Sequence, residues 1–466
     1  MTPTLWAVIA YLMLQLGIGV WVSKRISSES DYLVAGRQLG PALATFSIFA
    51  TWFGAETIVG SAGITWREGV SMASAEPFGY GLCLIVMGLV FAVPLWRKQL
   101  TTLADLFRTR YSMPVERVAA VILIPSSILW AAAQIRAFGQ VLSTVAPQIV
   151  LPVAIGVAAG FVMLYTMFGG LLADAMTDML QGILLICGLI ILGIAVLVAI
   201  GGFNGIPAAL DATAAARVAL GGVPVAPRLL DVLEAWAIPV CGSVIATELV
   251  GRVIATRTPG IARASALTAG ALYICVGMIP VFIGLVAGPL VPTLADPEQL
   301  LPTIAAQLLP TIGFAVFAGG LISAILSTVD STLLVASGLM SHNLIVPIFS
   351  IADETTKVRV ARGGVMVFGI MAYLLALRAE GVFALVEQAS AFGSAGTLVT
   401  VCFALFTPWG GPRTAMATML VGVVAYIGAK ATGLSAPFLF SLGASLATYV
   451  AGAVIGGYRV VEAEAT

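Results

Sequence analysis

Long apolar segments separated by short polar ones repeat along almost the whole chain. We count about thirteen of them, each long enough to cross the roughly 30 Å of hydrocarbon in a bilayer as a helix. They lie near residues 4–22, 41–65, 74–96, 116–145, 150–169, 173–200, 230–256, 262–287, 311–337, 360–378, 381–407, 412–430 and 434–457. The pattern predicts an all-α integral membrane protein, with residues 1–466 forming a single membrane domain.

Composition and the placement of basic residues support this prediction. The chain is 60% hydrophobic and 9% charged, with a mean hydropathy of +1.07, whereas soluble proteins carry about 25% charged residues. Lys24 and Arg25 follow the first apolar segment instead of preceding it, so we interpret that segment as a span and not as a removable signal peptide. Basic residues then concentrate in alternate loops, which predicts a cell-membrane protein with its N-terminus outside and its C-terminus inside.

Charged and reactive residues narrow the possible functions. The formal net charge of zero excludes nucleic acid as a bulk electrostatic partner. Five cysteines are scattered among the apolar segments and suggest neither a disulfide framework nor a metal site. The single histidine, His342, follows a hydroxyl-rich segment, where we expect it to be solvated at the interface. Nothing resembles a catalytic constellation, so we expect neither an enzyme nor an organic cofactor, and no obligate protein partner is evident.

One apolar segment, residues 319–337, carries a cluster of oxygens. Ser327, Asp330 and Ser331 are spaced at i, i+3 and i+4 and share one helix face, and Thr328 is adjacent. Hydroxyls with a carboxylate suit a small hard cation. A carboxylate at the bilayer centre costs about 2.5–3.5 kcal/mol, so its presence there indicates a function. The alternative is that the hydroxyls bond to their own helix while Asp330 pairs with a neighbouring base.

Two apolar segments contain residues that interrupt a helix. Gly54 lies in the middle of the second segment, and Pro239 and Gly242 lie in the middle of the seventh. Interrupted spans at corresponding places in two halves of a chain are typical of inverted-repeat transporters, whose site lies at the breaks. The alternative is that these residues only ease helix packing, which is common in membranes.

Four ordered motifs carry a family resemblance across almost the whole chain: DYLVAGR (31–37), FGAETIVGSAG (53–63), GGLLADAMTDMLQ (169–181) and ILSTVDS (325–331). They resemble the sodium:solute symporter family, whose members carry proline, sugars, pantothenate, monocarboxylates or sialic acid. The resemblance implies a leucine-transporter-type fold. Its two inverted five-helix repeats would occupy residues 41–200 and 230–407, after a peripheral first helix in 1–30 and before two C-terminal helices in 412–458.

The resemblance also implies where sodium binds. In the family, a conserved site lies between the broken first core helix and the eighth core helix. Carried over, its ligands would be the carbonyls of Ala50, Phe53 and Ala324 and the hydroxyls of Ser327 and Thr328. Some members have a second sodium site, which would here use Ser327, Asp330, Ser331 and Asp178. A structural hydrogen-bond network is the alternative for that second group.

The family's substrate pocket lies beside the same helix break. Residues at matching places are Trp52, Thr57, Glu76, Gln134, Arg136 and Gln388, with Trp130 and Phe392 as possible apolar walls. Arg136 lies well inside a span, where an arginine requires a partner. Its planar fork suits a substrate carboxylate, and the alternative is a structural pair with Glu56, Glu76 or Glu387.

Other polar residues have simpler interpretations. We expect Glu56 to cap backbone amides freed at the break. Glu248 and Arg252 are four residues apart and suggest an intrahelical ion pair. Asp174, four residues before Asp178, is expected to be solvated at a helix end.

Together these features predict sodium-coupled symport of a small organic solute, one with a carboxylate, by alternating access. The partners would be the solute, Na+ as coupling ion, and the lipid bilayer. The alternatives are a proton-coupled or sodium-independent carrier on the same fold, or a membrane sensor that does not transport.

Overall fold

A computed structural model describes residues 3–24, 26–145, 148–219, 227–379 and 381–456, and in these ranges the protein is built from helices. The longer helices, together with several short ones, are α1 Pro3–Ser23, α2 Glu29–Val34, α3 Pro41–Trp52, α4 Ser61–Glu68, α5 Phe78–Arg97, α6 Ala104–Arg110, α7 Met113–Val145, α8 Leu151–Ala199, α9 Ile206–Ala219, α10 Leu229–Ala237, α11 Thr247–Ile254, α12 Pro259–Val286, α13 Leu300–Leu308, α14 Thr311–Met340, α15 Glu354–Arg378, α16 Val382–Ala391, α17 Ser394–Phe406, α18 Pro412–Ala431 and α19 Pro437–Ile455.

The helices have the length and composition of membrane spans. Among the described residues, ten helices are long and apolar enough to cross a bilayer, or eleven if the bent pair α3 and α4 counts as one span. The 49-residue helix α8 exceeds what one crossing requires, and its backbone leaves helical geometry at Gly170. The all-helical membrane fold is confirmed, whereas the count of about thirteen spans stays a prediction.

Gly170 allows α8 to change direction between two apolar segments. Its φ of +60° lies in the left-handed region that side chains disfavour. A Cβ there would also come within 2.9 Å of the Tyr32 ring. The glycine therefore serves both the backbone turn and the close packing of α2 against α8.

The first predicted break is confirmed. Helix α3 ends at Trp52, Phe53 leaves helical geometry with ψ of 67°, and α4 follows at an angle of 55° after a wide turn over Glu56–Gly60. A Cβ on Gly54 would lie 2.5 Å from Glu56 Oε2. The break therefore needs a residue without a side chain, because the space beside it is filled by polar groups.

The second predicted break lies between α10 and α11. A wide turn covers Ile238–Gly242, residues 243–246 are not helical, and Ala246 is extended with ψ of 138° before α11 begins. Pro239 and Gly242 thus mark an interruption, as the sequence indicates. The boundaries of the two repeats stay a prediction.

Glycines bring α12 close to its neighbours. Gly270, Gly277 and Gly284 recur every seven residues, and a Cβ on them would meet Gly81 O at 2.9 Å, Pro77 Cβ at 2.5 Å and Ala62 O at 2.5 Å. Small residues of this kind let membrane helices approach until their backbones touch. They hold α12 against α4 and α5, two helices that border the cavity beside the first break.

Candidate functional site

A cavity of about 420 Å³ lies beside the first helix break, between α4, the start of α5, α10 and α16. Four of its lining residues are glutamates, and its one arginine, Arg67, is paired with Glu68 at 2.6 Å near the surface. The lining comprises Glu56, Ser61, Ile64, Thr65, Arg67, Glu68, Ser71, Ala73, Ser74, Ala75, Glu76, Tyr80, Ala235, Ile238, Pro239, Phe383, Val386 and Glu387. With the four carboxylates and the single guanidinium all ionised, the lining would carry a formal charge of −3.

Glu76 is held in place from behind by α12. The hydroxyl of Tyr273 donates to Glu76 Oε1 at 2.7 Å and also contacts the Thr57 hydroxyl. Tyr273 and Thr57 are both fully buried. The Glu76 carboxylate is therefore fixed at the cavity wall by groups from two other helical segments.

Glu56 is joined to the break through Gln134 of α7. Gln134 Nε2 donates to Glu56 Oε2 at 2.9 Å, and Gln134 Oε1 accepts the Ala55 amide at 3.1 Å. The expectation that Glu56 itself caps the freed amides is thus corrected for Ala55, because Gln134 takes that amide and holds the carboxylate. Glu56 Oε1 is buried with no described partner.

Aromatic rings lie behind the carboxylates. Tyr80 lines the cavity, and its ring centroid is 6.4 Å from both Trp130 and Tyr273. Trp52 lies 5.4 Å from Trp130, and Phe53 lies 5.1 Å from Tyr273, edge to face. Carboxylates backed by π faces form an environment suited to positive charge.

The residues expected to bind substrate fall in three places. Glu76 lines the cavity. Trp52, Thr57 and Gln134 lie one layer behind it, in contact with lining residues or their neighbours. Gln388 is partly buried on α16 next to the lining residue Glu387, and the expected wall residues Trp130 and Phe392 border a separate small space.

Arg136 lies elsewhere. It is not part of the described cavity lining, and its Nη1 donates to the carbonyl of Ala376 on α15 at 3.2 Å. None of Glu56, Glu76 and Glu387 is its partner in the described structure, so the alternative of a structural pair with one of them is wrong. The backbone carbonyl takes that role.

Two of the expected sodium ligands, Ser327 and Thr328, lie on the face of α14 that packs against the end of α3 and against α8. Thr328 Oγ1 donates to Thr51 O at 2.8 Å and to Ala324 O at 3.1 Å. Ser327 donates its hydroxyl to Asp178 of α8. Both side chains are buried, so the polar face of α14 points into the bundle, against the end of α3 and against α8.

Arg252 of α11 organises a buried cluster between four helices. Its Nη2 lies 2.6 Å from Asp174 Oδ2 and 3.3 Å from Asp178 Oδ2. Its Nε donates to Ser47 Oγ of α3 at 2.8 Å, and Nη2 also contacts the hydroxyl of Ser331 on α14. The guanidinium is fully buried, and its neighbours come from α3, α8 and α14.

This cluster corrects two expectations. Asp174 is 4% exposed and bound to Arg252, so it is not solvated at a helix end. The side chain of Glu248 accepts from Ser127 at 2.5 Å, while Arg252 reaches only its main-chain carbonyl, at 3.3 Å. Spacing of four along one helix predicted a pair, but tertiary contacts give each side chain other partners.

The expected solvated position of His342 is also wrong. Its Nδ1 lies 3.0 Å from Glu29 Oε2 and its Nε2 3.3 Å from Asp105 Oδ1, and the side chain is 23% exposed. Asn343 donates to Asp105 at 2.9 Å and to Glu116 at 2.8 Å. This cluster ties α2, α6 and α7 to the end of α14, on the side that the charge pattern predicts to be cytoplasmic.

Sequence reasoning missed three residues of this arrangement: Tyr80, Tyr273 and Ser47. Ser47 lies one turn before the break and accepts from Arg252 while donating to Asp178 at 2.5 Å. Tyr80 lies only four residues after Glu76, at the start of α5, and this closeness in sequence could have indicated it. Tyr273 and Ser47 gave no such signal, because their partners are distant in sequence.

The helix bundle with two interrupted helices and a buried polar face between them has the architecture of a secondary transporter. Residues 32–422 match the family model of the sodium:solute symporter family, and the chain belongs to that family. It is a multi-pass membrane protein of a family of transporters.

Curated relatives carry several solutes. The chain is 26% identical over 408 residues to the high-affinity choline transporter 1 of Drosophila melanogaster, which covers 82% of this chain and 64% of that protein. The chain is 27% identical to the human high affinity choline transporter 1, and the match covers 81% of this chain and 68% of that protein. The sodium/pantothenate symporter of Escherichia coli (strain K12) is 24% identical, and the match covers 90% of this chain and 88% of that protein. The chain thus spans less than two thirds of the Drosophila relative.

Solved structures agree on the fold. A Na+-coupled sialic acid symporter in a substrate-bound outward-open state superposes with a TM-score of 0.81 at 18% identity, covering 97% of each chain. MhsT in complex with L-phenylalanine gives a TM-score of 0.58 at 14% identity, covering 89% of this chain and 99% of that one. The chain therefore has the fold of these transporters.

Proposed function

We propose that the protein imports a small organic cation of the quaternary ammonium class together with Na+, by alternating access. The observation that carries this proposal is the cavity beside the helix break, whose wall contains four carboxylates and a tyrosine backed by tryptophans. The sequence favoured a solute with a carboxylate because of Arg136. Arg136 does not support an anionic solute, because its described hydrogen bond goes to Ala376 O and it is not part of the cavity lining.

The carboxylates would attract the cation and the rings would hold it. A quaternary ammonium group cannot donate an N–H bond, so it is recognised through charge and through contact with aromatic faces. Burial raises the pKa of Glu76 to about 7, and a bound cation would favour its ionised form. Tyr80 supplies a π face in the lining, with Trp130 behind it. The cation–π contribution is about 0.5–2 kcal/mol per ring.

The relatives support this choice of substrate class. The Drosophila and human proteins are named as choline transporters, and choline is a quaternary ammonium alcohol. The pantothenate relative shows that overall similarity alone selects no solute. The acidic lining of the cavity is what favours a cation for this chain.

Sodium would bind where α14 meets the end of α3. The proposed ligands are neutral oxygens: the carbonyls of Ala50, Phe53 and Ala324 and the hydroxyls of Ser327 and Thr328. Five neutral oxygens stabilise one monovalent ion without burying excess charge. The contact of Thr328 with Thr51 O supports this position, since it brings the hydroxyl to the helix end where carbonyls are free.

Coupling would follow from the position of both sites on one break. Sodium bound between α3 and α14 would stabilise the arrangement in which the cavity accepts solute, and by linkage the solute would tighten sodium binding by the same factor. The membrane potential adds about 2.3 kcal/mol per elementary charge per 100 mV. Import of a cationic solute together with Na+ would move two positive charges down that potential.

The test is a thermal-shift experiment on purified protein in sodium or potassium chloride. The ligands would be choline, its neutral carbon isostere, pantothenate and a monocarboxylate. We expect choline to stabilise the protein in sodium only, and the isostere to require at least tenfold higher concentration. Stabilisation by a carboxylate ligand instead would support the anionic solute that the sequence analysis favours. Equal stabilisation in potassium would favour a proton-coupled or sodium-independent carrier.

A further inference from the structure

Two small cavities lie in the bundle apart from the cavity beside the first break, which is called the outer cavity from here on. The middle cavity, of about 20 Å³, is enclosed by α7, the second break and the junction of α16 with α17. The inner cavity, of about 30 Å³, lies between α2, the residues just before α6, α11 and α14. Thr247 lines both of them. Each has room for one or two waters, so neither admits an organic solute in this conformation.

A thin partition separates the outer cavity from the middle cavity. The hydroxyl of Tyr80, in the outer lining, lies 3.0 Å from the hydroxyl of Ser390, in the middle lining. The ring of Trp130, also in the middle lining, lies 6.4 Å from that of Tyr80. Gly242 of the second break packs against α16, and a Cβ on it would lie 2.4 Å from Ser390 O. The close approach of the second break to α16 therefore keeps the two cavities apart.

Glu248 is the acidic residue in the lining of the middle cavity. Its side chain is buried, Oε1 accepts from Ser127 at 2.5 Å, and Oε2 accepts from Thr247 at 3.3 Å. Arg252 reaches only the main-chain carbonyl of Glu248. Among the described residues, neither the middle nor the inner lining contains a lysine or an arginine. The Glu248 carboxyl group thus has two hydroxyl donors and no bonded cationic side chain.

Hydrogen bonding alone does not require a glutamate at this position. Hydroxyls on helices can donate to carbonyls of the preceding turn, as those of Ser394 and Thr397 do. Ser127 and Thr247 could be satisfied in the same way, whereas a carboxylate buried in a membrane span costs free energy unless a positive charge accompanies it. The glutamate therefore indicates a positively charged ligand that the described side chains do not supply.

Acidic residues continue beyond the inner cavity. Thr102 lines that cavity and donates to Asn343 Oδ1 at 2.8 Å. Asn343 in turn donates to Asp105 and Glu116. These residues lie on the side that the charge pattern predicts to be cytoplasmic. The three cavities therefore form a series that begins at the acidic outer lining, passes Glu248 and ends near two further carboxyl groups.

We propose that Glu248, with the hydroxyls of Ser127 and Thr247, forms a second subsite for the organic cation, occupied after the outer cavity closes and before release into the cytoplasm. The inference rests on the proposed function, because it takes the solute to be a cation. Separation of the second break from α16 would join the outer and middle cavities. The solute would then exchange the carboxylate of Glu76 for that of Glu248, so its charge would stay paired along the route.

Transport measured from each side of the membrane tests the subsite. Inside-out membrane vesicles present the cytoplasmic face of the full chain to the medium, and right-side-out vesicles present the exterior face. Radioactive choline then gives a half-saturating concentration for each side. We expect Glu248→Gln to raise the cytoplasmic value at least tenfold and to leave the exterior value within twofold, because only the inward-open protein exposes the subsite.

Glu234→Gln is the matched control. Glu234 is another buried glutamate, but it accepts the amides of Phe438 and Leu439 and lies outside all three linings. This variant should keep the wild-type ratio of the two values. A Glu248→Gln protein in which neither value changes, or both change by the same factor, would overturn the inference. A wild-type chain that moves no choline in either direction would instead contradict the proposed function, and the inference would fall with it.

If Glu248→Gln does not fold, Thr247→Cys tests the same route. A thiosulfonate reagent that carries a trimethylammonium group is added to inside-out vesicles, and mass spectrometry measures modification of residue 247. We expect modification that choline slows at least threefold. Thr418→Cys is the control, since Thr418 is fully buried outside the three linings and should stay unmodified. No modification at residue 247, or modification that choline does not slow, would contradict the subsite.

Discussion

The hydroxyl of Tyr273 donates a hydrogen bond of 2.7 Å to Oε1 of Glu76 across the wall of the cavity. The two residues are 197 positions apart in sequence, on α12 and just before α5. The bond fixes a carboxylate whose neighbours in the lining include the Tyr80 ring. It holds the Glu76 carboxyl group at the cavity wall, where the proposed cationic solute would meet it.

Glu76→Gln should weaken binding of choline at least tenfold, which corresponds to about 1.4 kcal/mol, because it removes charge while retaining the shape and an acceptor for Tyr273. Titration of the thermal shift with choline in sodium measures the effect. The neutral isostere is the control ligand, and its weak binding should change little. Unchanged choline affinity would show that Glu76 does not face the substrate.

Arg136→Gln should leave the affinity for the transported solute within about twofold, a change of roughly 0.4 kcal/mol. The reason is that its described hydrogen bond goes to Ala376 O and not into the cavity. The same titration provides the measurement. A tenfold loss in a variant that still responds to sodium would return Arg136 to the substrate site.

Thr328→Ala should raise the sodium concentration needed for half-maximal stabilisation by tenfold or more, about 1.4 kcal/mol, since one of the proposed ligands disappears. Thr328→Ser is the control, because it keeps the hydroxyl next to Thr51 O and Ala324 O. Sodium titrations of the unfolding temperature distinguish the two. Equal behaviour of Ala and Ser variants would exclude the hydroxyl as a ligand.

His342→Ala should destabilise the protein by about 1–3 kcal/mol, because it leaves the Glu29 carboxylate without its side-chain donor and removes one of the donors to Asp105. The measurement is the unfolding midpoint in detergent. Lys357→Gln removes a more exposed ion pair, to Glu354, and should cost at most about 1 kcal/mol. Equal effects of the two variants would mean that the His342 cluster adds no special stability.

Gly284→Ala should cost about 1–3 kcal/mol through overpacking, because the added Cβ would lie 2.5 Å from Ala62 O and 2.9 Å from Thr65 Cβ. Gly363→Ala is a matched control on α15, where a Cβ has nothing within 4 Å. That change should be neutral or stabilising by up to about 1 kcal/mol. Comparable unfolding midpoints would show that α12 does not pack as closely as described.

The membrane fold and the helix breaks could be predicted from sequence because both depend on local features. Apolar length determines where a helix can cross a bilayer, and Gly54, Pro239 and Gly242 interrupt helices through their own backbone properties. The polar face formed by Ser327, Asp330 and Ser331 could also be predicted from sequence, since helical spacing alone places these residues together.

Partners of buried charges could not be predicted in this way. Arg252 was assigned to Glu248 on spacing, and the structure joins it to Asp174, Asp178 and Ser47 from other helices. Arg136 was assigned to a carboxylate, and it meets a backbone carbonyl. Several acceptors were available to each arginine, and only the packing of the bundle selects among them.

The sequence by itself therefore determined that this protein spans the membrane, where its helices break and which helix carries hydroxyls and a carboxylate on one face. Its motifs also determined the family. Only the tertiary structure decided that Glu56 and Glu76 share a cavity with Tyr80 and that Arg252 lies among the acidic residues. The physical reason is range: hydropathy and helical periodicity act over a few turns, whereas a binding site is assembled by contacts between helices far apart along the chain.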